Sequence, residues 1–172
     1  MSESNLLVEE MQFVEGFPVV DLSTGANNGD WVSMANYKHL AIVFAASVGT
    51  AGQDPTITLN QATSAAGAGS KALSVITAGY HKTATTDLSG TAAFTKATQA
   101  AGNTFTVASS ANKDKLWVVE IDADMLDTDN GFSFVQAAVA DVGANAQLGY
   151  LLYILSQPRY PAAAANMVSA IA

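Results

Sequence analysis

The sequence predicts an all-β fold, an antiparallel β-sandwich with jelly-roll-like strand order and arms at both ends. Three observations predict this class. About eight short segments carry the alternation or the β-branched enrichment of strands. Loops rich in Gly, Asn, Asp and Ser separate these segments. No long segment shows the 3.6-residue periodicity of an amphipathic helix.

Alternating side chains mark the clearest strands. Residues 56–61 alternate polar and apolar side chains, which is typical of a half-buried strand. Residues 115–122 form the strongest predicted strand, with Trp117, Val119 and Ile121 on one face. Because Trp117 shares that face with two aliphatic side chains, we expect it to lie in the core.

Two predicted strands are apolar on both faces, at residues 40–46 and 148–155. A sandwich whose outer faces meet water needs alternation along its strands, so something must cover the outer faces of these two. The N-terminal arm, the C-terminal tail and another subunit all remain open as the cover. The apolar tail after Pro161 is too short to fold alone, which favours an assembly partner for it.

The chain is long enough for one domain. Its 172 residues match the size at which about 70% of the unfolded surface becomes buried. We predict an N-terminal arm over residues 1–16, a β-sandwich domain over residues 17–157 and a C-terminal tail over residues 158–172. The first boundary follows Gly16 and Pro18, which interrupt the pattern.

The charge pattern argues against several classes of partner. The net charge is −8, and the seven Lys and Arg residues are scattered rather than clustered. Nucleic acids and anionic membranes both require clustered cations, so we expect neither as a partner. The absence of cysteine excludes disulfides and thiolate metal sites. The acidic N-terminus is unlike a signal peptide, and no apolar run reaches the length of a membrane span.

No sequence motif indicates catalysis. His39 and His81 each neighbour a lysine at a predicted strand edge, and an edge histidine without a chemical role is the favoured interpretation. Nucleophile-elbow, zinc-protease and phosphate-loop motifs are all missing. We therefore predict a protein that is not an enzyme, with no catalytic residue and no cofactor.

Acidic side chains crowd residues 120–129, and oxygen-rich loops suit calcium. The spacing differs from that of an EF-hand, and a solvated strand end is the favoured interpretation. No metal ligand is assigned, and calcium binding stays an open question.

Four residues are the candidates for contact with a partner: Trp31, Tyr37, Arg159 and Tyr160. Trp31 follows a flexible polar loop, where it either meets a partner or anchors the loop. A carbohydrate platform is also open to the aromatic residues Trp31, Tyr37, Trp117, Tyr150, Tyr153 and Tyr160.

Three stretches of the chain resemble small virion proteins of tailed bacteriophages that are encoded near the major capsid protein. They are residues 23–37 (STGANNGDWVSMANY), residues 130–149 (NGFSFVQAAVADVGANAQLG) and residues 158–161 (PRYP). With the strand at residues 116–122, they cover most of the chain. The resemblance implies a decoration, or cement, protein on the outer capsid surface that binds the major capsid protein and stabilises the virion. It assigns no catalytic residue.

Together with the two doubly apolar strands, this resemblance leads us to expect a homo-oligomer, a dimer or a trimer. The alternative is a tail or head-fibre component, or a carbohydrate-binding module on the virion surface.

Overall fold

The computed structural model describes residues 7–84, 88, 93–106, 111, 114–160 and 169–171. Its strands form two antiparallel sheets that pack face to face, which confirms the predicted all-β sandwich. A single helical turn, α1 (Leu7–Glu10), precedes the first strand, and two 3-10 turns occupy Ala123–Met125 and Thr128–Asn130. The strands are β1 (Met11–Asp21), β2 (Asn27–Asn28), β3 (Val32–Ser33), β4 (Tyr37–Ser47), β5 (Thr56–Ala62), β6 (Lys71–Ala72), β7 (Ile76–Ala84), β8 (Thr95–Gly102), β9 (Thr104–Thr106), β10 (Asp114–Asp122), β11 (Phe134–Val139) and β12 (Leu148–Pro158).

The strand order is that of a jelly roll. The first sheet has the order β1-β12-β4-β10-β7-β8. In the second sheet the order is β2-β11-β5-β6, with β3 beside β11 and β9 beside β5. Along the chain the strands cross repeatedly from one sheet to the other, and the last three, β10 to β12, alternate between them. This alternation is the wrapped Greek-key arrangement of a jelly roll, and the β7–β8 hairpin widens the first sheet at one edge.

The core lies between the two sheets and is built from alternate side chains of each strand. Leu40, Ile42 and Phe44 of β4 all point inward and are fully buried. The ring of Phe44 lies 5.4 Å from that of Trp117, and Phe105 meets Trp117 edge-on at 6.3 Å. Trp117 is therefore a core residue, as its strand pattern predicts. Burying each such large side chain stabilises the fold by roughly 1.5–3 kcal/mol.

The two arms differ from their predicted bounds. Residues 11–16 belong to β1, which pairs with β12 along the edge of the first sheet, so the N-terminal arm ends before Met11. At the other end, Pro158 belongs to β12, and residues 161–168 lie outside the described residues. The chain end then returns to its own second sheet. There the Ser33 N–H donates to the carbonyl of Ala170, which is buried.

Candidate protein-binding surface

The two doubly apolar strands, β4 and β12, lie side by side in the middle of the first sheet. Their outward side chains pair across the strands, with Leu152 opposite Val43 and Ile154 opposite Ala41. All four are partly exposed, whereas the inward neighbour Ile42 is fully buried. Strand β1, which contains residues 11–16 of the predicted N-terminal arm, extends this sheet at its edge rather than crossing its outer face.

One lateral row of outward side chains runs across all six strands of the first sheet, and we call it the Val43 row. In strand order it consists of Glu15, Leu152, Val43, Val118, Tyr80 and Lys96. A carboxylate stands at one end of the row, an ammonium group stands at the other, and four apolar or aromatic side chains lie between them. In the next row towards the C-terminal end of β4, Tyr150, Ala45 and Leu116 are followed by Lys82. In the row on the other side, Ile154 and Ala41 are followed by Glu120.

Large apolar side chains stand exposed around these rows. Phe13 on β1 is 42% exposed, Phe94 beside β8 is 45% exposed, and Leu148 at the start of β12 is 51% exposed. Val19 and Leu88 join Leu148 around a shallow apolar depression at one end of the face. Scattered exposed apolar residues are ordinary, but a mainly apolar face of this width, interrupted by Glu120 and Lys82, is typical of a surface that another protein covers.

The second sheet provides an internal comparison, because its outer face is more polar. Its outward side chains are Thr56, Thr58 and Asn60 on β5 and Phe134, Gln136 and Ala138 on β11, so four of these six are polar. Both sheets bury apolar inner faces, so the difference lies only in what each presents outward. The apolar outer face is thus a specific property of the first sheet.

A serine, a histidine and a glutamate meet at the edge of the apolar rows. Nδ1 of His39 lies 3.1 Å from Oγ of Ser156, and Nε2 of His39 lies 3.8 Å from Oε1 of Glu120. These are the residue types of a hydrolytic triad. However, Ser156 pairs with both β1 and β4, which commits the nearby backbone N–H groups to the ladders. Because acyl transfer needs free donors for an oxyanion, this flat site lacks the geometry for it.

The acidic residues between 120 and 129 do not converge. Glu120 faces outward from the first sheet, whereas Asp127 bonds to Lys71 and accepts a hydrogen bond of 2.8 Å from the Asn130 amide. The bond from Lys71, followed by that from Asn130, holds the pKa of Asp127 below its usual value. Over the described part of the chain, no group of three or more His, Asp or Glu side chains is arranged to hold a metal ion.

Two of the four predicted contact residues have internal roles. Tyr37 is buried and its hydroxyl donates to Oε1 of Gln12 at 3.0 Å, so it is corrected from a contact residue to a core residue. Trp31 is partly buried against the loop that contains Gly67, where a Cβ would lie 2.6 Å from the indole nitrogen. Trp31 therefore packs against a loop other than the polar loop that precedes it.

The other two predicted residues are exposed and adjacent at the end of β12. Tyr160 is 74% exposed. Arg159 is also exposed, and its backbone N–H donates to the carbonyl of Asn36 at 2.8 Å, which fixes the position of the pair. Arg159, Lys38 and Asp124 line a polar depression beside them. The four candidates thus form no single site, and Arg159 and Tyr160 are the two that are fully exposed.

Sequence reasoning missed the polar ends of the Val43 row and the burial of Lys115. Lys115 is only 1% exposed, and its ammonium group donates to the carbonyl of Ser47 at 2.5 Å. Desolvation lowers its pKa, against a smaller opposing effect of Asp54 and Asp114. The alternation of the strand does indicate this burial, since Lys115 lies two residues before Trp117 and therefore shares its inward face. The row, by contrast, depends on the registers of six strands, which no local pattern contains.

The chain matches no protein-family model and no curated protein. No helix among the described residues has the length and apolar character needed to cross a membrane.

Proposed function

We propose that the protein is a bacteriophage capsid decoration, or cement, protein. In this role it binds the major capsid protein on the outer surface of the shell, stabilises the virion by contact alone and catalyses no reaction. The observation that carries the assembly role is the apolar outer face of the first sheet. The virion setting is supported by the resemblance of residues 23–37, 130–149 and 158–161 to phage virion proteins.

The apolar face supports an assembly role because it is unfavourable in an isolated molecule. Val43, Leu152 and Ile154 keep partial exposure in the middle of the face. Burying apolar area stabilises an association by about 25 cal/mol per Å² before the costs of binding are subtracted. The acidic composition, with a net charge of −8, suits the outside of a shell whose packaged DNA lies within.

The exposed pair Arg159 and Tyr160 is the contact that we assign to the shell. Arg and Tyr are the residue types most enriched among the dominant contacts of protein interfaces. The hydrogen bond from the Arg159 backbone to Asn36 holds the pair in place, so binding costs little ordering of the chain.

Sedimentation with capsids tests this function. Capsids that lack the protein are mixed with the purified chain and pelleted, and their resistance to heat is measured with and without it. We expect saturable binding and a higher disruption temperature, and weaker binding for Tyr160→Ala and Arg159→Ala. Thr104→Ala, at an exposed position of the second sheet, is the matched control. Two results would overturn the proposal. The first is that virions purified from the phage do not contain the protein, and the second is that capsids do not bind it.

A second candidate is a carbohydrate-binding module on the virion, or a tail or head-fibre component. The observation that favours it is the exposed ring of Tyr160, since exposed aromatic rings also stack on sugars. A glycan array probed with the wild type and with Tyr160→Ala separates the two candidates. Glycan binding that disappears in this variant, without capsid binding, would support the second candidate.

A further inference from the structure

Two asparagines of the chain are followed directly by glycine, and the fold places them in opposite surroundings. They are Asn28, on β2, and Asn130, at the end of the second 3-10 turn. Asparagine is a labile residue, and a following glycine makes it more so, because no Cβ hinders attack by the glycine nitrogen on the side-chain amide. The surroundings of each glycine nitrogen therefore decide which asparagine reacts in the folded protein.

We propose that Asn130 is a site of spontaneous deamidation in the folded protein, and that the fold protects Asn28. The backbone nitrogen of Gly131 bonds to Cγ of Asn130, the Cγ–Nδ2 bond breaks, and ammonia leaves with the proton of the glycine N–H. Water then opens the cyclic imide. Cleavage of the new N–Cγ bond gives aspartate, and cleavage of the original peptide bond gives isoaspartate. This inference does not depend on the capsid role.

The glycine after Asn28 is held between the two sheets. The N–H of Gly29 donates to the carbonyl of Ala137 at 2.9 Å, and its carbonyl accepts a hydrogen bond of 2.7 Å from the Gln136 side chain. Gly29 is buried, and a Cβ on it would lie 2.9 Å from Leu151 of the first sheet. Freeing its nitrogen requires this segment to leave both sheets, and such an opening approaches the cost of global unfolding.

The glycine after Asn130 lies on an exposed turn. Asn130 and Gly131 are both exposed, and a Cβ at position 131 would meet nothing within 4 Å. Their N–H groups donate to the carbonyls of Asp127 and Thr128 at 3.2 and 3.0 Å, so these bonds close within the turn itself. Breaking the bond from Gly131 disturbs no strand ladder. An exposed turn of this kind opens at little cost in free energy, which frees the nitrogen for the attack.

Deamidation of Asn130 should loosen the attachment of this turn to the second sheet, which runs through Asp127. The Asp127 carboxylate bonds to Lys71 of β6 and accepts a hydrogen bond of 2.8 Å from the Asn130 amide. Its backbone N–H donates to Oε1 of Gln61 on β5 at 2.9 Å. The reaction replaces the donor amide by a carboxylate, so the hydrogen bond is lost and a like charge stands beside Asp127. Isoaspartate also lengthens the backbone by a methylene group, which disrupts the spacing of the turn's hydrogen bonds.

Peptide mapping of the full chain by mass spectrometry tests the site. The folded protein is held at mildly alkaline pH, where the glycine N–H is deprotonated more readily, and is then digested in acid to stop the reaction. The peptide with Asn130 should gain the mass difference between an amide and an acid at least about tenfold faster than the peptide with Asn28. Asn130→Gln is the matched control. Its longer side chain requires a larger ring, so the mass change at position 130 should disappear while the reaction at Asn28 stays the same.

The decisive measurement repeats the incubation in concentrated urea. Unfolding removes the hydrogen bonds of both glycines, so Asn28 and Asn130 should then react at comparable rates. Between the folded and the unfolded protein, the rate at Asn28 should rise steeply and the rate at Asn130 should change much less. This comparison separates protection by the fold from any effect of the neighbouring side chains, because the sequence is the same in both states.

Three results would overturn the inference. They are an unchanged Asn130 in the folded protein, equal rates at the two asparagines in the folded protein, or a preference for Asn130 that persists in urea. Asn130→Asp reproduces the aspartate product and should unfold at a lower urea concentration than the wild type. Asn28→Asp, the same change at an exposed side chain of β2, is its control and should leave the midpoint nearly unchanged. Equal midpoints for these two variants would contradict the loosening of the turn.

Discussion

The hydroxyl of Tyr153 accepts a hydrogen bond of 2.8 Å from the backbone N–H of Ala137, and this bond joins the two sheets through the core. Tyr153 lies on β12 of the first sheet and Ala137 on β11 of the second. On one side, strand β11 pairs with two short strands, β3 near its start and β2 near its end. The Tyr153 hydroxyl bonds to β11 between these two strands. Burial raises the pKa of Tyr153, so the phenol stays neutral.

Removing this hydroxyl should leave a buried backbone N–H without a partner. We expect Tyr153→Phe to lower the free energy of unfolding by about 1–3 kcal/mol, which is the cost of an unsatisfied buried donor. Urea denaturation measures the change. Tyr160→Phe removes a hydroxyl from an exposed ring and should shift stability by less than about 0.5 kcal/mol. Equal stability of the two variants would contradict the role of the hydroxyl.

Position 29, beside the hydrogen bond between Tyr153 and Ala137, requires a glycine. A Cβ on Gly29 would clash with the Tyr153 hydroxyl and would lie 2.7 Å from the carbonyl of Ala137, which is backbone and cannot move aside. Gly29→Ala should therefore destabilise the fold by about 1–3 kcal/mol through overpacking. Gly102→Ala is the control, since its Cβ meets nothing closer than 3.6 Å. Thermal melting of both variants gives the comparison, and a Gly29→Ala variant as stable as the control would exclude the clash.

Local patterns predicted the sandwich and its core strands but not the full extent of the first strand. Gly16 and Pro18 indicate a break in the chain, yet both lie within β1. The reason is that β1 is an edge strand, where a proline without an N–H costs no ladder hydrogen bond when it points to solvent. Register shifts after Glu15 and Phe17 absorb the irregularity.

The candidate site could be predicted only in part. The lack of alternation in residues 40–46 and 148–155 indicates that some outer face needs a cover, and both strands do contribute to the apolar face. That the two strands pair with each other is a contact between residues far apart in sequence. The sequence does not predict that Tyr37 is buried. Tyr37 and Leu40 both face inward from β4 but are three positions apart, which a strict two-residue period does not allow.

Asp21 should link stability to acidic pH. Its carboxylate accepts hydrogen bonds from the backbone N–H groups of Ser23 and Gln147, both at 3.0 Å, and from the Ser23 hydroxyl. These bonds, led by that of the Ser23 backbone, lower its pKa. The stabilisation is therefore present above the unfolded pKa of about 3.9 and is lost as the pH falls through the lower folded value.

Replacing Asp21 by Asn tests this linkage, because the amide keeps an acceptor oxygen but removes the charge. The wild type should be more stable than Asp21→Asn near neutral pH, and the difference should shrink as the solution is acidified. Urea denaturation across the acidic range measures it, with carboxyl NMR titration giving the folded pKa directly. A difference that does not vary with pH would contradict the linkage.

Lys115 should link stability to alkaline pH, and here too the stability of the wild type rises with pH. Burial lowers its pKa, so the folded state binds its proton less tightly than the unfolded chain. The resulting penalty is fully present below the folded pKa and disappears as the pH rises towards the unfolded value of about 10.4.

Replacing Lys115 by Met tests this dependence. In Lys115→Met, the carbonyl of Ser47 still accepts a hydrogen bond of 3.0 Å from the side-chain amide of Gln147, so it keeps a partner. Raising the pH from about 7 to about 10 should therefore stabilise the wild type relative to this variant. Urea denaturation of both proteins at the two pH values measures the change, and a wild type that loses stability relative to Lys115→Met would show that the buried ammonium group is net favourable.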